Sequence, residues 1–176
     1  MAIETEVKIK VGAGELESVQ RRLMQLGARQ IAARAREENW LFDFADGRLA
    51  DSGCALRLRL YGGQALLTFK GRIQEDPLYK KREEIEVPLA EGAAIRQIFE
   101  ALGLQVVFSY AKFREILEID SGGQRLHVCL DETPIGTFAE LEGPPQAIEE
   151  LAAQFGWGRE SFIKKNYVEL YSEPRA

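Results

Sequence analysis

Apolar and charged residues alternate along this sequence from its first strand onward. Positions 3, 5, 7 and 9 are Ile, Thr, Val and Ile, whereas positions 4, 6, 8 and 10 are Glu, Glu, Lys and Lys. A period of two predicts a strand with one mainly apolar and one charged face. Carboxylates two residues apart on one face lie about 6.8 Å apart, close enough to share a hard cation. For this stretch alone, a solvated edge strand is the simpler interpretation.

The same alternation recurs along the chain and predicts eight strands, separated or followed by helices with apolar residues at helical spacing. The strands are predicted at about residues 3–11, 33–44, 55–60, 65–71, 80–87, 106–119, 124–131 and 135–142. The helices are predicted at about residues 15–26, 93–102, 146–155 and 160–171, and residues 45–53 are predicted to form a loop.

Short glycine turns, such as Gly62-Gly63 and Ser121-Gly122-Gly123, join several consecutive strands. Short connections favour antiparallel neighbours, and eight such strands can close on themselves and leave no edge. We therefore predict an α+β fold, a closed eight-stranded antiparallel β-barrel (a tunnel) with helices packed outside. The chain shows no internal boundary, so a single domain over residues 1–176 is expected.

Composition narrows the class of protein. The sequence is 45% hydrophobic and 29% charged, has no apolar run long enough for a membrane span, and begins without the features of a signal peptide. Cys54 and Cys129 lack metal-ligand spacing and are expected to be reduced and buried or half-buried. A cytoplasmic location follows as the default. The net charge of −5 argues against a nucleic-acid binder.

Charged residues share one face of nearly every predicted strand. The basic members of these faces are Lys8, Lys10, Arg57, Arg59, Lys70, Arg82, Lys112 and Arg114. The acidic members are Glu4, Glu6, Glu84, Glu86, Asp131, Glu140 and Glu142. In an ordinary sandwich these faces would point to solvent. The amphipathic helices also need an apolar surface to cover, however, and if they cover the outside of a barrel, the charges point inward.

A lumen lined by so many charges is reasonable only if it is wet and holds a charged ligand, because buried charges must be paired or liganded. Arginine and lysine suit a polyanion such as a triphosphate. Paired carboxylates suit Mg²⁺ or Mn²⁺, which prefer oxygen ligands and bridge to phosphate oxygens. Without a cation between them, four converging carboxylates would repel each other.

These motifs resemble the CYTH superfamily, the triphosphate tunnel metalloenzymes. The resemblance rests on ExExK at residues 4–8, LRLR at 56–59, TFKG at 68–71, RxExE at 82–86, KxR at 112–114, Asp131, GTFAELE at 136–142 and KNYVEL at 165–170. The elements span nearly the whole chain in the family's order. The resemblance implies an eight-stranded tunnel that binds a triphosphate and one or two divalent cations.

The resemblance also implies residue roles. Metal ligands would be Glu4, Glu6, Asp131, Glu140 and Glu142. Substrate-binding residues would be Lys8, Lys10, Arg57, Arg59, Lys70, Arg82, Lys112, Arg114 and Lys165. Catalytic roles are expected for Glu4, Glu6, Lys8, Arg57, Arg82 and Glu84. Family members often have Lys-Ser-Tyr where this chain has Lys165-Asn166-Tyr167, so Lys164 and Lys165 both stay candidates for the phosphate contact. His127, the only histidine, either lines the tunnel or is a structural residue of the barrel.

Three functions follow as hypotheses. The first is a metal-dependent triphosphatase acting on inorganic triphosphate, thiamine triphosphate or a nucleoside triphosphate. The second is a class IV adenylyl cyclase, which would form cyclic AMP and pyrophosphate from ATP. The third is a non-catalytic polyphosphate or nucleotide binder, which the full set of carboxylates disfavours. Each predicts a small-molecule triphosphate partner, no nucleic acid, no membrane, and a monomer or homodimer.

Overall fold

A closed antiparallel barrel organises the chain in the computed structural model, which describes residues 2–173. The strands are β1 (Ala2–Val11), β2 (Arg29–Phe44), β3 (Ala55–Tyr61), β4 (Gln64–Gln74), β5 (Lys80–Leu89), β6 (Leu104–Ser121), β7 (Gln124–Thr133) and β8 (Gly136–Glu142). They hydrogen-bond in the order β1-β5-β4-β3-β2-β6-β7-β8. The predicted eight-stranded barrel is therefore confirmed.

Five helices accompany the strands within the described residues. They are α1 (Leu16–Gln25), α2 (Arg48–Asp51), α3 (Gly92–Ala101), α4 (Pro145–Gln154) and α5 (Tyr167–Tyr171), with a short 3₁₀ helix at Arg159–Ser161. Helix α1 ends where the sequence predicts, because Gly27 adopts a φ of 93° that favours glycine beyond a helix C-terminus.

The chain divides into two compact units, each discontinuous in sequence. The first unit contains residues 35–74 and 81–112 together with residues 2–3. Its core packs the apolar parity of β2, β3 and the start of β6 under helix α3. Phe42 of β2 and Phe99 of α3 meet edge to face, with ring centroids 5.1 Å apart. Helix α3 therefore covers the apolar face of these strands and leaves the charged face on the other side.

The second unit contains residues 4–34, 75–80 and the described residues from 113 onward. Helices α1 and α4 cover the apolar parity of β1, β6, β7 and β8. Leu23 of α1 and Leu151 of α4 are fully buried against strand residues such as Leu141. On β1, Glu6 and Lys8 point to the opposite face and yet are buried as well. Charged side chains in the second unit are thus enclosed on the face that the helices leave uncovered.

Two predicted elements are wrong. The segment 45–53 contains a short helix, α2, because both oxygens of the buried Asp43 carboxylate accept backbone N–H groups at its start, from Leu49 at 3.0 Å and Ala50 at 2.9 Å. The final helix predicted at 160–171 is broken, because Ile163 exchanges two backbone hydrogen bonds with Lys8, at 2.8 and 3.0 Å. Helix α5 begins only after Asn166, which caps it.

Both cysteines are free thiols, as predicted, with Cys129 buried and Cys54 half-buried. Burial raises the pKa of the Cys129 thiol far above its usual range. We expect iodoacetamide at pH 8 to modify Cys54 in the native protein and Cys129 only after denaturation. Mass mapping of labelled peptides checks this. Equal labelling of both cysteines in the native protein would contradict the buried placement of Cys129.

No helix in residues 2–173 is both long and apolar enough to cross a membrane. The expectation of a single domain over residues 1–176 stays a prediction.

Candidate functional site

Strands β1 and β8 bring three predicted metal ligands onto one face of the second unit. Their antiparallel register places Glu6 opposite Glu142 and Lys8 opposite Glu140. Residues directly opposite in an antiparallel pair point to the same face, with Cβ atoms about 4.5–5.5 Å apart. The ExExK strand and the ELE strand therefore form one charged patch. The alternation within each strand could not reveal this pairing.

Ammonium groups lie between these carboxylates. Lys8 Nζ is 2.7 Å from a carboxylate oxygen of Glu140 and 3.3 Å from one of Glu6. Lys80 Nζ is 2.5 Å from the same Glu6 oxygen. Burial alone would lower the pKa of Lys8, but the charges of Glu140 and Glu6 more than reverse this and raise it. Lys8 thus bridges Glu6 and Glu140, and Lys80 adds a second contact to Glu6.

Arg114 extends the same series of ion pairs to Asp131. Its guanidinium makes a bidentate contact with the Asp131 carboxylate, with both N–O distances 2.6 Å, and a further contact of 3.0 Å with Glu140. The Tyr167 hydroxyl donates a 2.5 Å hydrogen bond to Asp131 from the start of α5, and its ring meets Phe138 edge to face. Burial, followed by the negative charge of Asp131, raises the pKa of this phenol well above its usual value.

Glu142 differs from its neighbours. Its carboxylate has no hydrogen bond or ion pair among the described residues, whereas Glu6, Glu140 and Asp131 are all paired. Burial raises the pKa of Glu142, and the nearby charges of Glu140 and Glu6 raise it further. A negative charge held near two other carboxylates without a direct partner is what a hard divalent cation would stabilise.

The fit of a metal ion to this patch rests on the type of its ligand atoms and not on a preformed coordination geometry. Among residues 2–173, no three acidic, histidine or cysteine side chains already converge in metal-binding geometry. The donors are nevertheless carboxylates, which are the ligands that Mg²⁺ and Mn²⁺ prefer. Four carboxylates, Glu6, Asp131, Glu140 and Glu142, stand here with three cations, Lys8, Lys80 and Arg114. The donor set fits a divalent cation.

The first unit contains buried arginine donors. Arg57, on β3, is buried, and its terminal nitrogen lies 3.3 Å from the Thr68 hydroxyl and 3.6 Å from Glu86. The Nε donors of Arg57 and Arg59 are buried and find no hydrogen-bond acceptor among the described residues. Buried N–H groups without acceptors are costly, and arginine donors form forked contacts with phosphate oxygens. These two donors fit an anionic ligand.

Strand β2 contributes residues that the sequence analysis did not assign to the site. Glu37 is fully buried, with Lys112 Nζ 3.4 Å from one of its oxygens and Arg59 Nε 3.6 Å from the other. Asn39 donates a 2.9 Å hydrogen bond to Glu37. Glu37 and Asn39 share the charged parity of β2, and this alternation was the available signal. Glu37 therefore orders two of the predicted phosphate-binding cations.

Lys70 and Arg82 lie close together but make different contacts. Lys70 forms an ion pair with Glu84, directly opposite in the β4–β5 register. Arg82 donates hydrogen bonds to the backbone carbonyls of Gly71 at 3.0 Å and Lys70 at 3.1 Å, beside a register shift in β4. The Arg82 guanidinium thus helps to hold the β4 backbone that presents Lys70.

Some predicted residues lie at the margin. Lys10 is exposed, and Glu4 is half-buried on the charged face of β1. The Lys165 side chain is 59% exposed and contacts Glu173, while Lys164 donates to the backbone carbonyl of Asp76. Neither lysine joins the charged patch of β1 and β8. His127 is partly exposed, and its Nε2 lies 3.5 Å from a carboxylate oxygen of Glu118 on the neighbouring strand β6.

The sequence and the structure are both similar to those of known proteins. The CYTH domain family matches residues 2–169. A Methanocaldococcus jannaschii protein named a putative adenylate cyclase is 30% identical over an alignment of 179 residues, which covers 96% of this chain and 98% of that protein. The structure of a putative adenylate cyclase from Vibrio parahaemolyticus superposes with a TM-score of 0.80 at 21% identity, covering 97% of this chain and 98% of the other.

A Hippeastrum structure, described as a putative adenylyl cyclase with a dominant triphosphatase activity, has a TM-score of 0.65 at 17% identity, over 96% of this chain and 94% of the other. The fold and the order of the charged strands define the class of protein, an antiparallel tunnel. The chain belongs to the CYTH domain family. Proteins of this family bind triphosphates and are metal-dependent in general. The resemblance drawn from the motifs is confirmed.

Proposed function

We propose that this chain is a divalent-metal-dependent triphosphatase. The supporting observations are two features that the contacts within the protein leave unsatisfied, one in each unit. The first unit has buried arginine donors without acceptors, and the second has an acidic patch with an unpaired Glu142. The oxygens of adjacent phosphates require cationic donors, and the charge of such a substrate favours a bound metal ion. Inorganic triphosphate, thiamine triphosphate and nucleoside triphosphates all have this chemistry.

Phosphate binding is assigned first to Arg57 and Arg59, since each has a buried Nε donor without a hydrogen-bond acceptor among the described residues. Lys112 and Lys70 are the next candidates in the first unit, and their carboxylate partners Glu37 and Glu84 hold them in place. The other predicted phosphate ligands, among them Lys10 and Lys165, stay predictions.

Glu6, Glu140 and Glu142 would hold Mg²⁺ or Mn²⁺, with Glu4 and Asp131 as further predicted ligands. When bound, the metal would neutralise phosphate oxygens and so stabilise the charge of the transition state. The residues of this chain orient the triphosphate, and a carboxylate positions the water that attacks the terminal phosphorus in line. The bond between the terminal phosphorus and the bridging oxygen breaks, and phosphate and the diphosphate form of the substrate leave.

Adenylyl cyclase activity is the second candidate, and the name of the Methanocaldococcus jannaschii relative favours it. In that reaction the ribose 3′-hydroxyl attacks the α-phosphorus and pyrophosphate leaves. The same cations and carboxylates serve both reactions. A cyclase also needs a pocket for the base.

One substrate panel separates the two functions. Inorganic triphosphate, thiamine triphosphate and ATP are each incubated with Mg²⁺ or Mn²⁺, and phosphate, pyrophosphate and cyclic AMP are measured together. We expect metal-dependent release of phosphate without cyclic AMP. Equal amounts of cyclic AMP and pyrophosphate from ATP would identify a cyclase instead. Triphosphate binding without turnover of any substrate would identify a non-catalytic binder.

A further inference from the structure

Lys80 is a buried lysine of the second unit that the motif pattern does not include. It is the first residue of β5 and is only 5% exposed. The turn before it is fixed, because the Asp76 carboxylate accepts backbone N–H groups from Leu78 at 2.9 Å and Tyr79 at 2.8 Å. Tyr79 itself is buried in the core of the second unit. The backbone of Lys80 is therefore held in place while its side chain reaches the acidic patch.

The ammonium group of Lys80 has one ion-pair partner among the described residues, a Glu6 oxygen at 2.5 Å. Lys8 also contacts that oxygen, at 3.3 Å, but lies closer to Glu140, at 2.7 Å. Of these two lysines, Lys80 is thus the nearer to Glu6. Lysine is a point charge on a flexible stem, so it can leave a carboxylate without the loss of a forked contact.

We propose that Lys80 is a resident counter-ion of Glu6 that competes with the divalent metal and so sets the metal affinity of the protein. This inference rests on the proposed function, in which Glu6 is a metal ligand. The ammonium charge of Lys80, 2.5 Å from a Glu6 oxygen, repels a divalent cation that coordinates the same carboxylate. Metal binding is therefore favoured when Lys80 moves away from Glu6.

The competition predicts that removal of the positive charge of Lys80 increases the metal affinity of the protein. Lys80→Met keeps the length of the side chain and removes the ammonium group. We expect Mn²⁺ to bind this variant about tenfold more tightly than the parent, the scale of one charge-assisted hydrogen bond. Lys80→Arg keeps the charge and should bind Mn²⁺ no more tightly than the parent. Arg159→Met is the matched control, because it removes a positive charge from an exposed ion pair with Glu149 in the same unit.

Two measurements on the purified, metal-free protein test this without turnover. Mn²⁺ titration followed by electron paramagnetic resonance gives the dissociation constant. Thermal melts with and without Mn²⁺ give the stabilisation by metal, which should be larger for Lys80→Met because ligand stabilisation grows as the dissociation constant falls. Metal-free Lys80→Met should melt below the parent, since Glu6 loses a counter-ion. If Lys80→Met does not fold, Lys80→Gln replaces it in both measurements.

The outcomes distinguish this inference from the proposed function. Mn²⁺ binding by the parent with equal or weaker binding by Lys80→Met would overturn the competition and leave the metal site standing. If Arg159→Met also bound Mn²⁺ more tightly than the parent, the effect would be one of overall charge, and the competition by Lys80 would again be overturned. Absence of Mn²⁺ binding in every variant would overturn the metal assignment and, with it, the role of Lys80.

Discussion

Glu6→Gln is expected to abolish most turnover at low Mg²⁺ or Mn²⁺ and to recover part of it at high metal concentration. The amide keeps the shape of the side chain but is a weaker ligand for a hard cation. Loss of one charge-assisted contact corresponds to about tenfold or more in metal affinity. Activity measured against metal concentration checks this, since the half-saturating concentration should rise far more than the maximal rate falls.

The metal-free proteins provide the control for this prediction. Glu6 accepts contacts from Lys8 and Lys80, so Glu6→Gln leaves two buried ammonium groups with less compensation and should lower the melting temperature. Glu142→Gln removes a carboxylate that has no partner and is disfavoured by burial and by Glu140 and Glu6. That variant should melt no lower than the parent. A difference of 1 kcal/mol corresponds to about 2–4 °C for a chain of this size.

Both glutamine variants should nevertheless bind metal more weakly than the parent. A lower metal-free melting temperature in Glu6→Gln alone, together with weaker metal binding in both variants, separates the role of a metal ligand from a structural role. Normal turnover of Glu6→Gln at low metal would remove Glu6 from the site, and with it the interpretation of the ExExK motif as a metal-binding strand.

The sequence was sufficient to predict the strands and the charged face of each, because both follow from local alternation. Register is not local. The alternation of β1 and β8 contains no information that Glu6 lies opposite Glu142, since strand pairing depends on the whole closed sheet. Lys80 shares the charged parity of β5 with Arg82 and Glu84, so the alternation was an available signal for it as well. The alternation does not show that its side chain reaches Glu6, which lies far away along the chain.

The acids show a second limit of sequence reasoning. Counting carboxylates suggested mutual repulsion in the metal-free protein. The structure instead places Lys8 between Glu6 and Glu140, so only Glu142 retains the predicted imbalance. The helix prediction for residues 160–171 was wrong for a different reason. The apolar spacing of this segment favours a helix, but the backbone of Ile163 pairs with Lys8. A tertiary hydrogen bond overrode a local preference there.

Arg57→Ala is expected to weaken triphosphate binding much more than it weakens folding. Arg57 makes only long contacts within the protein, 3.3 Å to Thr68 and 3.6 Å to Glu86, and its buried Nε has no acceptor among the described residues. The Thr68 hydroxyl also donates a 2.6 Å hydrogen bond to Glu86, a contact in which Arg57 takes no part. Each charge-assisted contact with phosphate contributes roughly 1.5–3 kcal/mol, which corresponds to about tenfold or more in affinity.

Calorimetric titration with inorganic triphosphate, beside thermal melts, measures both effects. Arg57→Lys keeps the charge but loses the forked geometry and should recover only part of the affinity. Arg96→Ala is the matched control in the same unit, because Arg96 is exposed on α3 and pairs with Glu100. It should change neither affinity nor melting temperature appreciably. Unchanged triphosphate affinity in Arg57→Ala together with a collapsed melting temperature would show that Arg57 stabilises the fold and does not bind the substrate.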